Sequence, residues 1–65
     1  MYVVPEEDIV IFARGLIGRH GRRARECAED TARSLAAAGD QEGAQAWTRV
    51  ADEVARRSRR QRLSA

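Results

Sequence analysis

The segment Ala-Ala-Ala-Gly-Asp-Gln-Glu-Gly-Ala-Gln-Ala-Trp at residues 36–47 decides the fold. Its alanine run ends at Gly39, a residue type that commonly closes a helix, and Asp40 follows at once as a helix N-cap. A new series of apolar residues at helical spacing then starts at Trp47. A helix end followed directly by a helix start predicts a tight pair of helices in the second half of the chain.

The first half of the chain continues the helical pattern. Val4 precedes Pro5 and is expected in an extended lead-in over residues 1–4, because a residue before proline avoids helical backbone angles. Gly21 is expected to end the first helix. The predicted helices span residues 5–20, 22–38 and 41–60, followed by a frayed basic tail over residues 61–65. We therefore predict one all-α domain over residues 1–65, a small three-helix bundle that dimerisation could complete.

The apolar residues at helical spacing predict a small core. Its expected members are Ile9, Phe12, Leu16, Leu35, Trp47, Val50 and Val54. A core of this size rarely leaves more than about 3–5 kcal/mol of net stability, and the single cysteine cannot form an internal disulfide. Self-association or a partner would supply further burial. The predicted surface for it consists of Val3, Val4, Val10 and Ile11, which widen the apolar surface around the core stripe.

Two glycines lie within the first predicted helix. Gly15 and Gly18 match neither a GxGxxG motif nor a P-loop. Each lowers helix propensity by about 1 kcal/mol. We expect them to let another helix approach this one closely, because a residue without a Cβ leaves room for it.

The small net charge of +2 hides clusters of arginine, which is the only basic residue type apart from one histidine. Arg19, Arg22 and Arg23 surround the turn at Gly21, and Arg59 and Arg60 lie near the C-terminus. Free N–H groups at the start of the second helix would add to the first cluster and favour a phosphate or a carboxylate. We predict that these five arginines bind an anion or a partner. The alternative is that both clusters are simply solvated.

The residues needed for catalysis are not arranged for it. His20 and Cys27, the only residues of their types, are seven positions apart, nearly two helical turns, whereas a nucleophile and its base must be in hydrogen-bond contact. No group of residues has the spacing of zinc ligands. We expect no enzymatic activity, no cofactor and no metal. The lone cysteine, the acidic start and the short apolar runs predict a cytoplasmic protein with no membrane partner.

A set of matched positions carries a family resemblance. These positions are Leu16-Ile17, His20-Gly21, Ala24, Ala28, Gly39-Asp40, Gly43, Trp47 and Val50. The pattern resembles a group of short, uncharacterised alphaproteobacterial helical proteins and covers about residues 9–55. It implies a small bacterial helical fold but no activity, ligand or catalytic residue.

Two functional hypotheses follow. The first is a non-catalytic protein–protein interaction module, such as an accessory subunit, an adaptor or a small inhibitor. Its partner would be another protein or the protein itself, most simply as a homodimer through the first helix. The alternative is a small nucleic-acid-binding or transcription-regulating protein that uses its arginine clusters. Acidic residues on the exposed faces of the second and third predicted helices argue against this alternative.

Overall fold

Helical backbone makes up nearly all of the described chain. The structure, a computed structural model, describes residues 4–64, with side chains placed for residues 4–60. The elements are α1 (Glu6–His20), a 3-10 turn (Gly21–Arg23), α2 (Ala24–Ala37) and α3 (Gln41–Ser64). No strand occurs within residues 4–64, so the predicted all-α class is confirmed.

The prediction of three separate helices is wrong at the first boundary. No loop separates α1 from α2, because the 3-10 turn joins them directly. α1 itself ends at His20 as predicted, and Gly21 follows it as a C-cap with a φ of +56° and a ψ of −122°. The N–H of Ala24 donates to the carbonyl of Gly21 and carries the hydrogen bonding across the turn. The chain therefore forms two continuous helical segments, the first of which contains α1 and α2.

Four further boundaries differ from the prediction. The first helix begins at Glu6, one residue later than expected, with Pro5 as its N-cap. The second helix begins at Ala24, two residues later than expected, and ends at Ala37. The third continues to Ser64, so residues 61–64 are helical where a frayed tail was predicted. Of the predicted extended lead-in, Val4 is non-helical as expected, whereas residues 1–3 lie outside the described residues.

The turn between α2 and α3 forms as predicted, through local hydrogen bonds. Gly39 has a φ of +89°, and its N–H donates to the carbonyl of Ala36. The N–H of Asp40 donates to Leu35, which completes a Schellman motif at the end of α2. The Asp40 carboxylate then accepts a hydrogen bond from the N–H of Gly43 at 2.9 Å. Asp40 therefore ends one helix and caps the next.

The core is built from small residues around three larger ones. Ile9, Val50 and Val54 are fully buried, and alanines from all three α-helices surround them. These alanines are Ala13, Ala24, Ala28 and Ala51. Helices with alanine at their contacts can approach closely, which explains how so few large side chains hold the fold.

Four of the predicted core residues are less buried than expected. Leu16 and Trp47 are only partly buried and pack against the core from its edge. Leu35 is also partly buried, and Phe12 is 50% exposed. The large side chains in the centre are therefore aliphatic, whereas Phe12 is half exposed and Trp47 lies at the edge of the core.

A long-range contact holds the start of α1 against α3. One guanidinium nitrogen of Arg49 donates to the backbone carbonyl of Val4 at 3.0 Å, and the other donates to the Glu6 carboxylate at 2.9 Å. Since Arg49 belongs to the middle of α3, this contact fixes where the N-terminal end of α1 crosses it. The crossing determines which face of α1 remains exposed.

A buried acidic residue lies on α3. Glu53 is only 7% exposed, and its carboxylate accepts hydrogen bonds from Arg56 and Arg57 of the same helix. The four-residue spacing of Glu53 and Arg57 predicts an ion pair on the surface of a helix. The pair forms, but Glu53 is buried. α3 packs against both α1 and α2, so more of its circumference is covered than one inward stripe would cover.

Candidate interaction surface on the first helix

The outward face of α1 carries the most exposed large apolar side chains of the described chain. Ile11 is 63% exposed and Phe12 is 50% exposed, and no other large hydrophobic residue among residues 4–60 is comparably exposed. Adjacent residues on a helix point about 100° apart, so Ile11 and Phe12 define the two edges of a broad face. We call this surface, formed by Asp8, Ile11, Phe12, Gly15, Gly18 and Arg19, the outer face of α1.

The two glycines of the outer face are open to solvent. A methyl group placed on the Cα of Gly15 or Gly18 would meet no atom of the described chain within 4 Å, leaving aside the helix's own local backbone. The expectation that these glycines admit another helix therefore finds no partner within the described part of this chain. They leave an open strip that continues along the outer face from Ile11 and Phe12 toward the C-terminal end of α1.

An aromatic contact borders this strip. The ring of Phe12 packs against that of Trp47 on α3, with centroids 5.9 Å apart and planes inclined by 33°. Trp47 is partly buried and also packs against the core. The contact holds the exposed phenyl ring against α3, so Trp47 supports the Phe12 edge of the outer face.

Opposite charges lie at the two ends of the outer face. Asp8 is in the first turn of α1, and Arg19 is in its last turn. Neither side chain forms an ion pair with another described residue. Each charge complements the helix dipole, which favours acids at the N-terminus and bases at the C-terminus.

The predicted partner surface is only partly retained. Ile11 is exposed as expected, but Val10 is half-buried and Val4 packs against the core while its carbonyl accepts from Arg49. Val3 lies outside the described residues. Phe12 was assigned to the core and Gly15 was not assigned to a surface. The available signal was that Ile11 and Phe12 lie about 100° apart on the helix, so a narrow inward stripe would leave one of them exposed.

The predicted anion site at the 3-10 turn brings three arginines to one end of the molecule. Arg19, Arg22 and Arg23 are all exposed at this end of the molecule. Arg23 lies 3.8 Å from the Glu26 carboxylate. The N–H of Gly21 donates to Ile17 and that of Ala24 donates to Gly21, so these two backbone groups already have acceptors within the chain.

The other predicted basic residues lie elsewhere. Arg59 lines a cleft of about 380 Å³ between the start of α1, α2 and α3, and Arg60 is exposed on α3. The other charged residues lining the cleft are Glu6, Arg25, Arg49, Asp52 and Arg56. None of the three arginines near Gly21 lines it. Arg25, Arg49 and Arg56 are each paired with a glutamate, which neutralises much of the local positive charge.

The reactive residue types remain apart. His20 is exposed at the end of α1, and Cys27 is a half-buried free thiol on α2. Within the described residues, no group of three or more histidines, cysteines and acids is placed to hold a metal ion. None of the described helices combines the length and the apolar character that crossing a bilayer requires.

Comparisons with known proteins do not add a relative. No protein-family model matches the chain, and neither a curated protein nor a solved structure was found to be similar to it.

Proposed function

We propose that the protein is a non-catalytic protein–protein interaction module, an accessory subunit, adaptor or small inhibitor, whose binding surface is the outer face of α1. The observation that carries this proposal is the exposure of Ile11 and Phe12, at 63% and 50%, beside two open glycines. Exposed apolar side chains that adjoin one another are typical of surfaces that bind another protein.

The architecture supports this use of α1. Arg49 holds the N-terminal end of the helix, and Ile9 and Ala13 bury its opposite side. The outer face is therefore presented on a rigid element, which lowers the entropy lost on binding. The resemblance to short bacterial helical proteins is compatible with this proposal and names no partner.

The proposal is tested by crosslinking inside cells. A photoreactive amino acid replaces Ile11 in the full chain, and the control carries it at Ala37, which is exposed at the end of α2. We expect a discrete crosslinked product, with the protein itself or with another protein, from position 11 and not from position 37. Absence of any product from position 11, with normal expression of the variant, would overturn the proposal.

Nucleic-acid binding is the second candidate, and the exposure of Arg19, Arg22 and Arg23 at one end of the molecule favours it. Phosphate contacts make such binding strongly dependent on salt. A gel shift at low salt that is lost when these three arginines become alanine would support this candidate. No shift at low salt would remove it.

A further inference from the structure

We propose that the outer face of α1 binds a second copy of this chain, with the two α1 helices packed antiparallel. This inference rests on the proposed function and names the partner of the same surface. In this arrangement Phe12 of each copy lies over Gly15 and Gly18 of the partner subunit, and Asp8 lies near Arg19 of the partner subunit.

The spacing of the outer face suits helix pairing. Its residues fall at positions 8, 11, 12, 15, 18 and 19, the three- and four-residue steps that keep side chains on one side of a helix. Bulky residues occupy one half of this face and glycines the other half. Since Gly15 and Gly18 offer open space, they can receive the side chains that protrude from a second copy.

Charge complementarity selects the orientation. The first turn of α1 holds Glu6, Glu7 and Asp8, and its last turn holds Arg19 and His20. A parallel pair would bring acid to acid and base to base. An antiparallel pair brings the acidic end of each helix to the basic end of the other, and also aligns the two helix dipoles favourably. The same reversal places the Phe12 half of one face opposite the glycine half of the other.

The size of the surface predicts a weak dimer. α1 has 15 residues and is therefore about 22 Å long. A pair of helices of this length covers less than the roughly 800 Å² per partner that is standard for a stable interface. Trp47 extends the apolar surface at one edge, since it packs against Phe12. We expect association in the micromolar range, with the single tryptophan shielded further in the dimer.

The main experiment is sedimentation equilibrium of the full chain from a few micromolar to several hundred micromolar, at roughly 50 mM salt so that surface charges are weakly screened. We expect a monomer–dimer equilibrium, accompanied by a blue shift of tryptophan emission as the concentration rises. A mass equal to the monomer throughout this range overturns the proposal. In that case a product from position 11 with a different protein would leave the proposed function standing.

A glycine variant tests the packing. Gly15→Leu fills the strip with a side chain that favours helix, and the Cβ that it adds would meet no atom of the described chain within 4 Å beyond the local helix. We expect it to weaken dimerisation at least about tenfold while the thermal midpoint of the monomer stays the same or rises. Ala37→Leu is the matched control, which places the same side chain at an exposed position on α2, and its dimerisation should be unchanged. Equal dimerisation of Gly15→Leu and the wild type contradicts the proposed packing.

A charge exchange tests the orientation. Asp8→Arg and Arg19→Asp should each weaken dimerisation, because each places like charges together across the antiparallel pair. The double variant restores opposite charges and should recover affinity to within about threefold of the wild type. Its monomer is the least stable of the set, since both charges now oppose the helix dipole, so recovery cannot arise from monomer stability. If the double variant dimerises as weakly as the single variants, the antiparallel arrangement is overturned.

Discussion

The rings of Phe12 and Trp47 meet at the surface of the protein, with centroids 5.9 Å apart, and connect α1 to α3 at the edge of the outer face. Phe12 remains half exposed in this contact, whereas Trp47 reaches the core. The pair therefore contributes to the fold and also supports the surface that we propose binds a partner.

Phe12→Ala should lower the free energy of unfolding by about 1–2 kcal/mol, because it removes an aromatic pair and part of the cover over Trp47. Tryptophan emission should shift to the red as water reaches the indole. Urea denaturation at low micromolar concentration measures the first effect and fluorescence the second. Ile11→Ala is the control, since Ile11 is more exposed and lies away from the core; a cost equal to that of Phe12→Ala would contradict our assignment.

Asp40→Ala should cost about 1 kcal/mol of stability. The variant removes the carboxylate that accepts the N–H of Gly43 and leaves that group without its cap. Asp40→Asn keeps an oxygen in the same place and should lose little. Thermal denaturation of both variants checks the prediction, which fails if alanine and asparagine destabilise the protein equally.

Glu53→Ala should destabilise the protein by about 1–3 kcal/mol. It leaves the guanidinium groups of Arg56 and Arg57 without their acceptor and opens space in a buried position. The matched control is Glu29→Ala, which breaks the exposed pair with Arg25 and should cost no more than about 0.5 kcal/mol. Chemical denaturation measures the free energy of unfolding of both variants. Similar losses would show that the burial of Glu53 does not add to the stability of the protein.

Gly15→Ala and Gly39→Ala should change stability in opposite directions. Gly15 is exposed within α1, so alanine should stabilise the monomer by about 0.5–1 kcal/mol through its higher helix propensity. Gly39 has a φ of +89°, which alanine adopts only with strain, so that variant should lose about 1–3 kcal/mol. Both changes in stability are measured by denaturation at protein concentrations too low for dimerisation. A loss of stability in Gly15→Ala would mean that this glycine has a packing role within the monomer.

The sequence by itself determined the features that depend on near neighbours. The helical class, the end of α2 at Gly39 and the cap at Asp40 follow from residues within one turn of each other, because their hydrogen bonds are local. The end of α1 at Gly21 is local in the same way, since the N–H of this positive-φ glycine donates to Ile17. The 3-10 turn that joins α1 to α2 without a loop was not predicted.

Only the tertiary structure decided which apolar and charged residues face solvent. Phe12 is exposed and Glu53 is buried because of where α1 and α2 cross α3. Arg49 fixes the N-terminal end of the α1 crossing through its bonds to Val4 and Glu6, which are more than 40 positions away in the sequence. Because α1 is apolar on several sides, its sequence alone does not show which side faces the core. The outer face with its open glycines therefore emerges only when the helices pack, since packing covers one side of α1 and leaves the other free.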